Sequence, residues 1–186
     1  MAVGVAAVEG RAVIDVLAPS FDWIDLARAR PGPAAVADPL WSVNDGSLVL
    51  SIGVGPQRLL LLGDAELEAE MALVAAPARL RADVVKVGHH GSRTSSSAGL
   101  VSAVGAGLAV ISCGRRNRFG FPHPEVVDRW QRAGAQVAVT AQVGAVEIWM
   151  RDGHPLRWRS QRPYRAPSAS PRAPIDPATA DPGRGP

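Results

Sequence analysis

Residues 83–92, DVVKVGHHGS, constrain the fold more than any other stretch of this chain. Val84, Val85 and Val87 form a short β-branched run, the pattern of a strand buried in a sheet. The run stops at Gly88, and His89, His90, Gly91 and Ser92 follow. A strand that ends in this way carries two imidazoles to the lip of a sheet. The flanking glycines permit tight turns and the close approach of a ligand.

A second strand end repeats the design. Asn44-Asp45-Gly46 is a turn signal, and residues 47–54 and 57–62 lie on either side of Gly55-Pro56 as an antiparallel hairpin. Leu59 to Leu62 is continuously apolar, which predicts a central strand covered on both faces. It ends in Gly63-Asp64. One strand end offers a carboxylate and the next offers imidazoles, a donor set suited to a divalent metal. Asp64 has a competing role. Residues 65–75, AELEAEMALVA, read as a helix with Leu67, Met71 and Val74 on one face, and Asp64 stands where a plain N-cap would.

The remaining elements follow from the same periodicities. Residues 11–18 read as a strand closed by Pro19, and 19–43 as a long Pro-rich loop that Trp23 and Trp41 anchor to the core or use to line a groove. Residues 98–104 predict a short helix, 108–113 a buried strand and 114–124 a loop rich in Arg, Gly and Pro. A helix over 125–133 has Val126, Val127 and Trp130 inward. Two closing strands, 136–140 and 145–149, join at a turn around Gly144. From Gly153 onward apolar periodicity fades, so residues 1–153 are expected to form one domain and 154–186 a disordered Pro/Ala/Arg-rich tail. The order of strands and helices, mixing a hairpin with crossovers, defines an α+β protein with helices on an outer face of layered sheets.

Composition bears on compartment and partner. Cys113 is the sole cysteine, so there is no intrachain disulfide; within an apolar strand it reads as a small core residue. Neither a signal peptide nor an apolar run of membrane-spanning length is evident, so the chain read alone is expected to be soluble and cytoplasmic. The net charge is only +3, but Lys86 is the single lysine among 20 basic residues. Arginine's planar fork suits phosphate, and a GC-rich coding sequence would give the same bias. Arg93 and Thr94 to Ser97 beside the histidines, and Arg115, Arg116, Asn117 and Arg118 further on, are candidate phosphate contacts or ordinary solvated loops. If the backbone at His89-His90 is extended, the two rings diverge, one toward a metal and the other toward substrate.

Four motifs in order carry a family resemblance. They are Asn44-Asp45-x-Ser47-Leu48-Val49-Leu50; Leu61-Leu62-Gly63-Asp64; Asp83-Val84-Val85-Lys86-Val87-x-His89-His90-Gly91-Ser92-Arg93-Thr94-Ser95; and Val110-Ile111-Ser112-x-Gly114-x-x-Asn117-x-x-Gly120-x-Pro122-His123-Pro124. Residues 11–150 thereby resemble the metallo-β-lactamase-like domain of ComEC-type competence proteins, bacterial membrane channels for DNA uptake. The resemblance implies an αββα sandwich and a metal-dependent nuclease acting on DNA, with zinc or manganese as the metal. It implies Asp64 as a bridging ligand, His90 as the metal histidine and His89 facing substrate with a catalytic role, or the two histidines exchanged. Ser92, Arg93, Thr94, Asn117 and His123 would then be substrate or phosphate contacts, with His123 also readable as a loop-packing residue.

The chain departs from that pattern. The superfamily's His-x-(His/Asp)-x-Asp-His run precedes the aspartate strand, and none of the four histidines here (His89, His90, His123 and His154) lies before Asp64. Phe121 stands where relatives often carry histidine, and Leu61 where many carry threonine. The expectation is a partial αββα sandwich corresponding to the second half of the domain, with an incomplete metal site. Three functions follow: part of a DNA-uptake hydrolase, a non-catalytic nucleic-acid-binding or interaction module, or another phosphoester hydrolase of the same fold.

Overall fold

A computed structural model describes residues 4–9, 11–19 and 42–165. Residues 20–41 of the expected loop, with Trp23 and Trp41, and most of the expected tail lie outside the described residues. Nine strands are described: β1 (Gly4–Glu9), β2 (Ala12–Ala18), β3 (Val49–Val54), β4 (Gln57–Leu61), β5 (Val84–Lys86), β6 (Leu108–Ile111), β7 (Gln136–Val139), β8 (Val146–Arg151) and β9 (Arg157–Ser160). The α-helices are α1 (Leu67–Val74), α2 (Ala98–Val104), α3 (Pro124–Arg132) and a single turn, α4 (Thr140–Val143).

The strands make two sheets. Six run in the order β2-β3-β4-β5-β6-β7, and three in the order β1-β8-β9. The first sheet is mixed: β2, β3 and β4 are antiparallel neighbours, whereas β4 through β7 are parallel. Helices α1, α2 and α3 pack on one face. Leu73, Leu100, Val101, Val126 and Trp130 meet Leu60, Leu62, Val85, Val87, Ala109 and Ile111 there. On the opposite face Leu59, Val84, Leu108 and Val110 meet Val146, Ile148, Met150 and Trp158 of the smaller sheet. Successive side chains of a strand point to opposite faces, so the unbroken runs in β4, β5 and β6 fill two cores at once. The layers are helix, sheet, sheet, three of the four layers of an αββα sandwich.

Several expectations need correction. The buried face of α1 is Ala69, Glu70 and Leu73, while Leu67 and Met71 are exposed. The helix also starts later than expected, with Glu66 rather than Asp64 at the N-cap. The strands β7 and β8 are not neighbours: α4 intervenes and carries the chain from one sheet to the other. The ordered fold continues past Gly153, because β9 pairs antiparallel with β8 and buries Trp158 completely. The expected 153/154 boundary therefore falls inside the smaller sheet. A buried tryptophan flanked by Arg157 and Arg159 is a two-residue alternation too short to stand out in a proline-rich stretch. Among the described residues no helix is long and apolar enough to cross a membrane.

One buried charge locks the helical layer. Glu70 is 1 % exposed, and its carboxylate accepts hydrogen bonds from the backbone N–H of Ser96 and, at 2.7 Å, of Ser97. Ser96 holds a left-handed backbone with φ +63°. Its hydroxyl accepts from Trp130 Nε1 at 3.1 Å, and its carbonyl accepts from the Arg129 guanidinium. Three helices thus meet at one serine.

Burial pushes the Glu70 carboxyl above the usual carboxylate value, against the lowering effect of its Ser97 and Ser96 hydrogen bonds and Arg129. A carboxyl raised in the folded state stabilises fully below its unfolded pKa of about 4.3, and that contribution is lost as pH rises through the folded value. Urea denaturation is expected to show Glu70→Ala losing about 2 kcal/mol or more, since the buried Ser96 amide and the half-buried Ser97 amide lose their acceptor. Glu70→Gln is expected to flatten the decline in stability from pH 4 toward neutrality.

Candidate functional site at the parallel strand ends

Open sheets bind ligands outside the carboxyl ends of parallel strands. Here β4 ends into Gly63-Asp64, β5 into His89-His90 and β6 into Ser112-Cys113-Gly114, all at the same edge of the sheet. Asp64, His89, His90, Ser112, Cys113, Gly114, Asn117, Phe119 and Phe121 line one cleft of about 550 Å³. The two sequence motifs are therefore brought to a shared cavity.

Asp64 is free to face that cleft because another acid caps α1. Asp45 is 2 % exposed and accepts from Glu66 N at 3.2 Å, Ala69 N at 3.1 Å and Ser42 N at 3.1 Å. The capping alternative for Asp64 is thus filled by Asp45. The backbone N–H of Asp64 instead donates to Ser47 Oγ at 3.1 Å. Gly63 sits at φ +56°, and a Cβ on it would lie 2.9 Å from the Leu48 carbonyl, so only glycine turns the chain here.

The histidines are held in an unusual backbone. His89 (φ 44°, ψ 42°) and His90 (φ 54°, ψ 20°) are both left-handed rather than extended. Such residues cost roughly 1–3 kcal/mol each and persist where surrounding contacts over-determine them. The contacts are present: His89 N donates to Gly63 O at 3.1 Å, Ser92 N to His89 O at 2.9 Å, and His123 N to Gly91 O at 2.9 Å. The buried Ser95 hydroxyl donates to Gly88 O at 3.0 Å or Ser92 O at 2.9 Å.

The rings diverge despite the different backbone. His90 Nδ1 lies 2.6 Å from the Ser112 carbonyl. A carbonyl only accepts, so Nδ1 carries a proton, and Nε2 lies 3.6 Å from Asp64 Oδ1. His89 turns the other way. Its buried Nδ1 lies 2.8 Å from Glu66 Oε1, without the alignment of a hydrogen bond. Burial works to raise the Glu66 carboxyl, but hydrogen bonds from Ser42, Thr94 and Asn44 and the charge of His89 leave it below the usual value.

The other expected site residues are distributed around these. Thr94 donates to Glu66 Oε1 at 2.8 Å, and Thr94 and Arg93 line a neighbouring cleft with Glu66. Ser92 is buried, its hydroxyl 2.9 Å from Thr94 Oγ1. The Asn117 side chain is used inside its own loop: Nδ2 donates to Gly114 O at 2.9 Å and Phe121 O at 2.8 Å, while Oδ1 accepts from Phe121 N at 2.8 Å. His123 lies 3.3 Å from an Arg93 Nη and edge-on to the Phe121 ring. Cys113 is core, with its thiol pushed up by burial.

Sequence reasoning missed three groups: Asp45, Glu66 and Lys86. Lys86 Nζ donates to Gly63 O at 2.8 Å and lies 4.0 Å from Asp64 Oδ1. Its place directly before the histidine motif was the signal that could have found it.

Asp64 Oδ1 and His90 Nε2 fit as two donors to one cation. Catalytic zinc sites take three protein ligands. Among the described residues no group of three or more His, Cys, Asp or Glu side chains is placed to hold a metal. The two donors present are fewer than such a centre takes.

The fold and the cleft define a layered α+β protein with a polar site at the ends of its parallel strands. The comparisons give its relatives. Over 122 residues the chain is 37 % identical to ComE operon protein 3 of Bacillus subtilis, a match to 66 % of this chain and 15 % of that one. It is 40 % identical over 105 residues to Recombination protein 2 of Haemophilus influenzae, covering 56 % of this chain and 13 % of the relative. It is 32 % identical over 134 residues to Competence protein ComA of Neisseria gonorrhoeae, covering 72 % and 19 %. These relatives are competence-type proteins, and the chain spans less than a fifth of the length of each. No protein-family model matches it.

Lys86 gives this site a direct probe. Burial lowers its pKa, and the Asp64 charge partly restores it. Reductive methylation with a ¹³C label should give one lysine resonance that titrates below about 10.4. Asp64→Asn should move that midpoint further down. A midpoint unchanged by the substitution would separate the two groups.

Proposed function

We propose that this chain is the nucleic-acid-facing portion of a competence-type DNA-uptake hydrolase domain, with Asp64 and His90 as two ligands of a divalent-metal centre that it does not complete. The observation that carries the reading is the His90 ring. Its Nδ1 is fixed on a backbone carbonyl and its Nε2 is aimed at a carboxylate, which is how metal-binding histidines are oriented. His89, backed by Glu66, is the candidate proton donor or phosphate contact beside it. A bound divalent metal would supply charge stabilisation and an activated water.

With two donors the chain itself offers a docking half-site. The names of the relatives, competence and recombination proteins, and the arginines at the mouth support a polyanionic substrate. Arg115, Arg116 and Arg118 are exposed on the loop that closes the cleft. Asn117 holds that loop in shape, and Arg93 with Thr94 extends the polar surface toward Glu66.

The non-catalytic reading draws on Lys86. An ammonium beside Asp64 already neutralises the carboxylate, so the cleft is stable without a metal and nucleic-acid binding needs none. Titration calorimetry with Zn²⁺ or Mn²⁺ separates the two. The half-site predicts weak binding that falls more than about tenfold in both Asp64→Asn and His90→Ala and strengthens in Lys86→Gln. Binding indifferent to all three substitutions would remove the metal from the proposal. Salt-dependent association with DNA in either case supports the phosphate-binding loop, and neutralising all three arginines should reduce the logarithmic salt slope by roughly 2–3.

A further inference from the structure

The loop over the cleft carries more than charge. Phe119 is 58 % exposed, an exposure unusual for a large apolar ring. It is not isolated. Its ring lies 5.4 Å from that of Phe121 at an interplanar angle of 18°. Phe121 in turn lies 6.5 Å from the His90 ring at 22°. The Arg118 guanidinium stands 4.8 Å from the Phe119 centroid. Three rings, His90, Phe121 and Phe119, therefore run in near-parallel succession from Asp64 to the solvent, and the Arg118 guanidinium stands over the outermost. His89 and His123 brace Phe121 edge-on at 5.6 Å and 5.5 Å. Asn117 fixes the Phe121 backbone from both ends of its amide.

We infer that this series is a stacking platform for unpaired nucleobases, with Phe119 its outer step. The inference rests on the nucleic-acid reading above and adds to it a preference for single-stranded over duplex substrate. The argument is geometric. A base inside a duplex has both faces covered by its neighbours, so an exposed phenyl gains nothing from it. An unpaired base offers a free π-face, and stacking on an aromatic side chain is tolerant of sequence. Guanidinium planes accept bases in the same way, so Arg118 lengthens the platform rather than blocking it. Arg115 and Arg116 on the same loop supply the charge that phosphates need. The innermost ring, His90, ends at Asp64, so a strand laid along the stack delivers its backbone to that pair.

The test is fluorescence anisotropy of a labelled oligothymidylate and of a duplex of the same length, using the full chain. The wild type should bind the single strand more tightly. Phe119→Ala should weaken single-strand binding about tenfold, leave duplex binding unchanged and leave the salt slope unchanged, because the ring neutralises no phosphate. Phe119→Trp should restore or exceed wild-type affinity. Arg118→Gln should instead lower the salt slope. Equal single-strand affinity for wild type and Phe119→Ala, or an equal loss on both substrates, would overturn the platform while leaving phosphate binding intact. Failure of the wild type to bind either substrate would overturn the nucleic-acid reading and the platform with it. Since Phe119 is a surface residue, an unchanged thermal midpoint in each variant shows that folding is not the cause.

Discussion

The Asp45 carboxylate is the joint on which the site depends. It is buried, and an ionised carboxylate can be kept in the interior only if its acceptors are filled. Three backbone amides fill them: one from the turn before β3 and two from the start of α1. This single side chain therefore fastens the helix to the hairpin and satisfies N–H groups that the helix leaves unpaired. Glu66, at the helix N-cap, makes no capping bond of its own. It is left to accept from Thr94 and to stand beside His89. Asp64, two residues earlier, is left to face the cleft. A polar residue elsewhere does the structural work, and neither Glu66 nor Asp64 has to cap the helix.

The second constraint is the parallel quartet. Because β4, β5, β6 and β7 run in the same direction, their carboxyl ends open on the same edge, and each contributes something different there. The end of β4 supplies Asp64, that of β5 the histidines, and that of β6 the carbonyl that orients His90. The end of β7 supplies Thr140, whose hydroxyl accepts from Cys113 N or donates to Cys113 O, both at 3.0 Å, and so holds the β6 turn. Two consecutive left-handed histidines are tolerated because hydrogen bonds accepted by the Gly63, Gly88 and Gly91 carbonyls, and one donated by Ser92 N, leave the backbone few alternatives. The strain is local and the scaffold around it is rigid.

Much of this was legible in the sequence, and the reasons are physical. Runs such as Leu59 to Leu62 and Val84 to Val87 have one stable setting, the middle of a sheet, so the strands and their polar ends could be placed. Helix α2 (Ala98–Val104) matched its expected limits because Ser97 and Gly105 mark them chemically. The buried face of α1 was misread because Leu67 and Met71 look apolar, whereas the helix turns Glu70 inward to cap the loop ahead of α2. That choice is made by tertiary hydrogen bonds that no periodicity reports. The same holds for Asp45, which reads locally as a turn residue. The sheet change between β7 and β8 was hidden for a related reason: α4 is a single turn, too short for any periodic signal. The Phe119–Phe121–His90 succession was invisible because His90 lies some thirty residues away in the chain.

Lys86 explains why a cleft with only part of a ligand set remains well formed. A carboxylate turned into a cleft is better matched with a cation beside it. Lys86 supplies one, held in place by the Gly63 carbonyl and kept from solvent by the surrounding strands. Its stem is buried and its charge is shared with Asp64, so the floor of the cleft is close to electrically balanced. Arg115, Arg116 and Arg118, by contrast, are exposed on the outer loop. On the proposed reading, an incoming polyanion meets its strongest attraction at the rim, beside the aromatic rings, and reaches Asp64 only as far as those contacts guide it. The proposed binding surface and the proposed metal ligands are thus separated in space, so the first does not require the second to be complete.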